Sequence, residues 1–310
     1  MQLDSTRELQ LDRGSRGMRY YRNAVERHWD PGEIELEEDR ERLVDFLRSS
    51  PESEVVFDTL RTNVARFGAG EQAVTEDLAP LATALDDIDD QMFVTTQLYE
   101  EAKHTDFFDR YWAEVIHGAE KELGYERSSP TDPRWYNDEY DELFERNDRA
   151  MHALLDDQSP EALARAYCHY HLTIEGILAQ TGYYGMQQSF SEDLHPELPG
   201  LPGLYEGFNS IRGDEGRHVG FGMAKLKELI TDHDVDPQLL SDTVTELMPL
   251  VNGITANEDE QYSADLGPTI EELRTFATEK HLERMEQITD ASEEIPDVET
   301  LTELDGVDAD

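Results

Sequence analysis

The chain has 310 residues, with 26 Lys and Arg against 71 Asp and Glu, which gives a formal net charge of −45. Nucleic acid and anionic membrane surfaces repel such a chain, so the charge argues against both as partners. High net charge can indicate disorder, but a composition of 37% hydrophobic and 9% aromatic residues is enough for a sizeable core. We therefore expect a folded protein.

The basic residues are mostly arginine. The lysines are Lys103, Lys121, Lys225, Lys227 and Lys280. Few lysines among many carboxylates resemble the cytoplasmic proteins of salt-in halophiles, where molar salt shortens the Debye length to about 3 Å. We expect a cytoplasmic protein adapted to salt, whose charge reflects the solvent rather than a substrate.

Three further features narrow the class of protein. The lone Cys168 excludes a disulfide framework and a cysteine-based zinc site. No segment approaches the roughly 20 apolar residues that span a bilayer. The first residues are charged throughout, unlike a secretory signal. We expect neither secretion nor membrane insertion.

Helical periodicity dominates from residue 38 onward, and strand-like alternation is scarce. The predicted helices span residues 39–47, 52–67, 71–85, 91–123, 133–155, 160–184, 204–230, 236–252 and 269–288. Residues 1–35 contain glycines and a proline and are predicted to be an N-terminal arm. Residues 290–310 are acidic and predicted to be a solvated or disordered tail. The fold class is all-α, and the two longest helices suit an antiparallel bundle.

Two Glu-x-x-His motifs lie in the middle of predicted helices. They are Glu101-Ala-Lys-His104 and Glu215-Gly-Arg-His218, and both have apolar flanks. This spacing places a carboxylate and an imidazole on one helix face, where they can bind one metal. Because two such motifs occur on different helices, we interpret them as halves of a di-metal site.

Two other matches to the motif are set aside. Glu114-Val-Ile-His117 is 13 residues after the first motif, about 220° around the helix, and should point away. Glu192-Asp-Leu-His195 precedes a proline in a loop, where the helical geometry is lost.

A four-helix carboxylate site needs one further Glu from each of two remaining helices. Glu71 opens the helix before the first motif, and Glu175 lies among apolar residues, where an unpaired carboxylate is costly. Four carboxylates and two imidazoles suit Fe and Mn rather than thiolate-loving metals. The predicted ligands are Glu71, Glu101, His104, Glu175, Glu215 and His218.

The order of these residues, with Thr-Asp-Phe-Phe after His104 and Asp214 before Glu215, resembles the ribonucleotide reductase small-subunit superfamily. Within it the chain is most similar to the ligand-binding oxidases that resemble that small subunit, over roughly residues 18 to 290. The resemblance implies a ferritin-like four-helix bundle with additional helices. Residues 36–289 would form this di-metal carboxylate domain.

The resemblance also implies the chemistry. The protein would be a homodimeric oxidoreductase that activates O₂ at a mixed Mn/Fe pair, with di-iron as the alternative, and holds a long-chain fatty acid. Glu71, Glu101 and His104 would favour Mn, and the other three ligands Fe, with Glu101 bridging. Val74 and Tyr170 match the valine and tyrosine that these oxidases join by an ether cross-link.

Two alternatives remain open at this point. A reductase small subunit is one, since some members lack the radical tyrosine and use Mn/Fe. The usual tyrosine position holds Phe108, and no Tyr or Trp follows Phe276, so the radical relay lacks its last step and we expect no large reductase subunit as partner. A ferritin-like metal storage protein is the other alternative, and it predicts uptake of more than two metals per chain.

Overall fold

The structure is a computed structural model that describes residues 11–191, 195–255, 268–290, 293–297 and 300–301. Over these ranges the chain is helical and forms no β-strand, as the sequence predicts. The α-helices are α1 (Arg16–Glu26), α2 (Glu37–Ser49), α3 (Ser53–Asp77), α4 (Ala79–Ala84), α5 (Ile88–Tyr111), α6 (His117–Leu123), α7 (Asp138–Ala153), α8 (Pro160–Tyr167), α9 (Gln180–Phe190), α10 (Pro202–His233), α11 (Pro237–Thr255) and α12 (Ile270–Thr289). Short 3₁₀-helices at Pro31–Glu33 and Pro133–Trp135 precede α2 and α7.

Two stretches of the chain are continuous helical rods, each made of α-helices joined by a π-helical segment. Trp112–Ile116 joins α5 to α6, and Cys168–Ala179 joins α8 to α9, without a break in the helical backbone. In a π-helix the backbone hydrogen bonds join residues five apart, so side chains at that spacing lie nearly one above the other. The second segment changes which side chains of its rod face the centre of the molecule.

Four rods surround that centre, namely α3, α5, α10 and the rod made of α8, the π-helical segment and α9. α3 packs against α5, and α10 packs against both α5 and the segment Cys168–Ala179. α9 meets α3 where the rings of Phe67 and Tyr183 stack with centroids 5.2 Å apart. With further helices packed around it, this is the ferritin-like bundle that the sequence predicts.

The start of α10 is held by a carboxylate from α2. Asp39 is fully buried and accepts hydrogen bonds from the backbone N–H groups of Gly203 and Leu204, both at 2.8 Å. These N–H groups have no partner within the helix, so the carboxylate satisfies them and also complements the helix dipole. The contact orients the helix that contains the second Glu-x-x-His motif.

The prediction that one helix ends at residue 67 and the next begins at residue 71 was wrong, because α3 continues through residues 68–70. A β-carbon at Gly68 would lie 3.3 Å from Cβ of Phe108, and one at Gly70 would lie 3.2 Å from the ring of Phe144. These glycines therefore allow neighbouring side chains to approach α3 closely. Glu71 accordingly lies within the helix rather than at its start.

Within the predicted N-terminal arm, residues 16–26 form an α-helix that the sequence did not predict. α1 begins after Ser15, whose hydroxyl accepts a hydrogen bond from the N–H of Met18. The helix lies along α5, with the ring of Tyr20 5.4 Å from that of Phe93. Its apolar pattern is short and bordered by glycines, and it packs on residues about 70 positions later, which local periodicity does not reveal.

The predicted acidic tail falls largely outside the described residues, which omit 291–292, 298–299 and 302–310. In the part that is described, Lys227 on α10 donates to the carbonyl oxygens of Asp290 and Glu293 at 2.6 and 2.9 Å. Across the described ranges, every α-helix is too short or too polar to cross a membrane.

Candidate metal centre

The structure brings the six predicted ligands together between the four rods. They form two overlapping groups in which the candidate ligand atoms lie within 4.8 Å of one another. The groups are Glu71, Glu101, His104 and Glu215, and Glu101, Glu175, Glu215 and His218. All six side chains are buried. Two carboxylates belong to both groups, as expected where two metals share bridging ligands.

Each histidine turns its Nδ1 atom toward the carboxylates. His104 Nδ1 lies 3.3 Å from Glu71 Oε2 and 3.4 Å from Glu101 Oε2. His218 Nδ1 lies 3.1 Å from Glu101 Oε1 and 3.3 Å from Glu175 Oε1. Donor atoms at these separations can surround an ion about 2.1 Å from each of them.

Several buried polar atoms of this cluster make no hydrogen bond. Glu175 Oε2, Glu215 Oε2 and His218 Nδ1 are buried and make no hydrogen bond. The last two lie only 3.6 Å apart. Unpaired buried carboxylates are costly, so this arrangement calls for cations between them. An oxygen-rich donor set with two imidazoles fits Mn and Fe.

The cluster perturbs its own pKa values. Burial raises the pKa of Glu71 to about 8, although His104 lowers it, and burial with a neighbouring carboxylate raises the pKa of Glu175 well above its usual value. Burial also acts to raise the pKa of Glu101, but the imidazoles outweigh it and hold this pKa well below its usual range. Burial lowers the pKa of His104 and His218, yet the carboxylates raise both well above 6.5. Metal ions would therefore displace protons on binding.

We expect the metal-free protein to lose stability as pH rises from about 5 to 8. The pKa values of Glu71, Glu175, His104 and His218 are all raised in the folded state. Over this window these four groups bind more protons in the folded chain than in the unfolded chain, which lowers stability as pH rises. Burial lowers the pKa of His169 and His171, which act in the opposite direction below about 6.5, but between pH 5.5 and 8 the four raised groups outweigh them. Thermal midpoints at about pH 5.5 and pH 8, in constant molar KCl, should show a drop of several degrees.

The metal-loaded protein is the control for this pH effect. Its midpoint should fall less over the same range, because metal ions replace the protons and bind better as pH rises. A metal-free midpoint that rises with pH would contradict the assignment of shared protons to this cluster.

The structure places Tyr170 and Val74 on the rods that hold the ligands. The Tyr170 hydroxyl donates a 2.9 Å hydrogen bond to Glu101 Oε1. An α-helix would set Tyr170 about 140° from Glu175, but both lie in the π-helical segment, which stacks residues five apart. Val74 is buried one turn after Glu71 and lines the cavity described next.

A cavity of about 890 Å³ reaches the cluster along one face of α3. Its lining extends from Glu54 to Val74 and includes the metal-ligand candidates Glu71, Glu175 and Glu215. The lining contains both apolar and polar side chains. The apolar ones include Phe67, Ile174, Leu178, Tyr183 and Met186, and the polar ones include Asp58, Thr59, Thr62, Asn63, Arg66 and Glu271.

In the motif matches that were set aside, the described residues make contacts outside the cluster. His117 Nε2 lies 2.9 Å from the carbonyl oxygen of Ser128, and Glu114 pairs with Arg110 at 2.9 Å. Of the loop motif, residues 192–194 lie outside the described residues, and His195 contacts Glu197 at 3.0 Å.

Sequence reasoning missed the carboxylates that contact the Nε2 atoms of the two candidate histidine ligands. His104 Nε2 lies 3.1 Å from Asp214 Oδ2, and His218 Nε2 lies 2.8 Å from Glu100 Oε2. Partners of this kind orient an imidazole and raise its basicity. Both residues are next to a predicted ligand in sequence, but each contacts the histidine of another helix, which motif spacing does not predict.

One missed residue did have a sequence signal. Gln97 Nε2 donates to Glu175 Oε1 at 2.9 Å, and its Oε1 atom lies 3.3 Å from His171 Nε2. Gln97 precedes Glu101 by four residues and His104 by seven, which is the spacing of one polar helix face. His171 is fully buried and contacts Gln97, so it lies behind the candidate ligands and not at the surface.

Comparisons with known proteins agree with this site. No protein-family model matches the chain. A solved valine-to-leucine variant of an R2-like ligand-binding oxidase with anaerobically reconstituted Mn/Fe cofactor is 30% identical, with a TM-score of 0.75 over 90% of this chain and 95% of that chain. A tyrosine-to-phenylalanine variant with aerobically reconstituted Mn/Fe cofactor is 29% identical, with a TM-score of 0.77 and the same coverage. A glycine-to-leucine variant with non-activated Mn/Mn cofactor is 30% identical, with a TM-score of 0.75 over the same shares of both chains.

A helical bundle with two overlapping Glu and His groups at its centre defines the ferritin-like di-metal carboxylate proteins. Within that class the similarity extends over nearly the whole of the matched chains. The protein belongs to the family of R2-like ligand-binding oxidases and is a di-metal oxidoreductase. The family predicted from the two motifs is thereby confirmed.

Proposed function

We propose that this chain binds one Mn and one Fe ion and uses O₂ to carry out a two-electron oxidation. The observation that supports this most is the pair of overlapping buried groups that share Glu101 and Glu215. We assign Mn to the subsite of Glu71, Glu101 and His104, and Fe to the subsite of Glu175, Glu215 and His218. The solved relatives with Mn/Fe cofactors support this choice of metals.

The bound metals would supply the activation of O₂, and the protein supplies the surroundings. The ligand residues are at most 6% exposed, and an apolar molecule in the cavity that reaches them would keep bulk water from the reacting atoms. Tyr170 is fully buried and its hydroxyl donates a hydrogen bond to Glu101, so the Glu101 carboxylate is placed to accept the hydroxyl proton. In the metal-free protein, burial and the nearby carboxylates hold the pKa of Tyr170 well above 10.

The oxidation we propose joins Val74 to Tyr170. A C–H bond at Cβ of the valine and the O–H bond of the tyrosine are broken, and a C–O ether bond forms. Two electrons and two protons leave the side chains. Reduction of one O₂ to two waters takes four electrons and four protons, so a bound metal pair would supply the other two electrons, one from each divalent ion, and solvent the other two protons.

We further propose that the cavity holds a long-chain fatty acid with its carboxylate toward the metals. The lining from Glu54 to Glu71 follows 17 residues of helix, about 26 Å at 1.5 Å per residue, which suits an extended acyl chain. Metal cations held by Glu71, Glu175 and Glu215 would attract the anionic head group, whereas Asp58 and Glu271 elsewhere in the lining would repel it. The guanidinium of Arg66, which also lines the cavity, already donates to the carbonyl oxygens of Trp135 and Ile254.

Mass spectrometry tests the cross-link directly. After metals are loaded and O₂ is admitted, we expect the peptides of Val74 and Tyr170 to run as one species, lighter by two hydrogens than their sum. Protein kept anaerobic should show separate peptides. Tyr170→Phe should abolish the joined species, and Tyr167→Phe should retain it, since Tyr167 is equally buried on the same rod but bonds no ligand. Free peptides in fully loaded, oxygen-exposed protein would refute the cross-link.

The proposal favours an oxidase over a reductase subunit. Phe108 occupies the position of the usual radical tyrosine, and it is buried in a stack with Phe67 at 5.4 Å, with no hydroxyl to oxidise. Assembly as a homodimer in the cytoplasm, as the family resemblance implies, is part of the same proposal.

A further inference from the structure

The two histidines of the candidate metal centre are held by carboxylates in different surroundings. His104 is bonded through Nε2 to Asp214, and His218 is bonded through Nε2 to Glu100. The guanidinium of Arg217, fully buried, donates to both carboxylates, to Glu100 Oε1 at 2.6 Å and to Asp214 Oδ1. One shared cation therefore stabilises both outer carboxylates.

A second cation acts on only one of them. Lys103 Nζ donates to Asp214 Oδ2 at 3.0 Å, and the indole N–H of Trp29 donates to the same oxygen at 2.8 Å. Lys103 is 5% exposed and lies 4.7 Å from the centroid of the Trp29 ring, so its position is well defined. Among the residues that the structure describes, Glu100 has no cationic partner besides Arg217 and its histidine.

This difference changes how strongly each imidazole can bind a metal. A carboxylate that accepts the imidazole N–H increases the electron density at the other ring nitrogen, and it does so less when its charge is neutralised. Asp214 faces two cations and an indole N–H, whereas Glu100 faces one cation. In a buried site such differences in charge are weakly screened. His104 should therefore be the weaker donor and His218 the stronger.

We infer that Lys103, acting through Asp214, sets the metal preference of the two subsites. At a given nitrogen and oxygen site Fe²⁺ binds more tightly than Mn²⁺, and weakening the nitrogen donor reduces that advantage. The subsite of His104 then accepts Mn, while the subsite of His218 retains Fe. Lys103 is thus a positioning residue for metal selectivity, an inference that rests on the proposed Mn/Fe centre.

Competitive loading tests this role without measuring activity. Metal-free protein is given equal Mn²⁺ and Fe²⁺ anaerobically, and bound metals are measured by elemental analysis and by anomalous diffraction at both metal edges. Wild type should hold one of each, with Mn beside His104. Lys103→Met should hold two metals, with the Mn to Fe ratio reduced at least about threefold, since outer partners commonly change metal affinity 10- to 100-fold.

Three further variants separate charge from packing. Lys103→Gln keeps a hydrogen-bond donor but removes the charge, so it should behave as Lys103→Met. Lys103→Arg keeps the charge and should restore the wild-type ratio, a rescue that also decides the case if the methionine variant fails to fold. Lys225→Met removes a comparable ion pair, with Asp90 at 3.0 Å, and should leave the ratio unchanged.

The possible failures are distinguishable. Wild-type protein that takes up two iron ions would refute the mixed-metal centre, and the inference on Lys103 with it. A mixed pair whose Mn to Fe ratio is the same in wild type, Lys103→Gln and Lys103→Arg would overturn only the role of Lys103.

Discussion

Replacing Glu101 with alanine should remove both metal ions from the protein. Glu101 belongs to both ligand groups, with its oxygens 3.4 Å from Nδ1 of His104 and 3.1 Å from Nδ1 of His218. The substitution therefore removes one ligand from each subsite and also the acceptor of the Tyr170 hydroxyl. Loss of an outer partner alone costs 10- to 100-fold in affinity, and loss of a shared ligand should cost more.

Elemental analysis after loading and desalting measures the effect. We expect two metals per chain in the wild type and less than about a tenth of that in Glu101→Ala. Glu114→Ala is a matched control, because Glu114 has the same spacing to a histidine on the same helical rod but is exposed and pairs with Arg110. Retention of two metals by Glu101→Ala would show that the ligand assignment is wrong.

The sequence predicted most of this centre because its ligands follow helical spacing. A Glu and a His three residues apart occupy one helix face whatever the rest of the fold does, so the pairs at 101 and 104 and at 215 and 218 could be recognised locally. Their role as ligands stays a prediction, but the structure does place all six candidate side chains in two overlapping groups.

Tyr170 shows where α-helical spacing fails. Five residues in an α-helix leave Tyr170 and Glu175 on different faces, and only a long side chain reaching back would bring them together. The structure has a π-helical segment at Cys168–Ala179 instead, in which residues five apart align. Whether a π-helix forms depends on tertiary contacts around the rod. The sequence of this segment shows only the ordinary 3.6-residue pattern of an α-helix.

The outer contacts could not be predicted because they join distant parts of the chain. Trp29 and Asp214 are separated by 185 residues, yet the indole N–H and the carboxylate are 2.8 Å apart. Nothing in the periodicity of either segment indicates the other. The same limit applies to Gly68. The glycines around it are typical of a loop, but it lies inside α3, where Phe108 packs closely against it.

Salt should have the largest effect on the stability of the whole chain. Even if the two metals neutralise the four buried ligand carboxylates, most of the 71 acidic residues remain uncompensated by 26 basic ones. Many of the surface ion pairs join residues one turn apart on the same helix, such as Arg42 with Glu38 and Arg146 with Glu142, both at 2.6 Å. Such pairs contribute little each and do not offset the net charge, so repulsion among carboxylates opposes the compact state.

We therefore expect the thermal midpoint of the metal-loaded protein to rise on the order of 10 °C between about 0.05 M and 1 M KCl, and to level off above that concentration. The Debye length shortens to about 3 Å at 1 M, so carboxylates on neighbouring turns no longer repel one another, and further salt has little left to screen. Sucrose at matched osmolarity is the control, because it favours the compact state by exclusion from the surface but does not screen charge. A midpoint that is independent of KCl, or one that sucrose raises equally, would show that self-repulsion does not limit the stability of this chain.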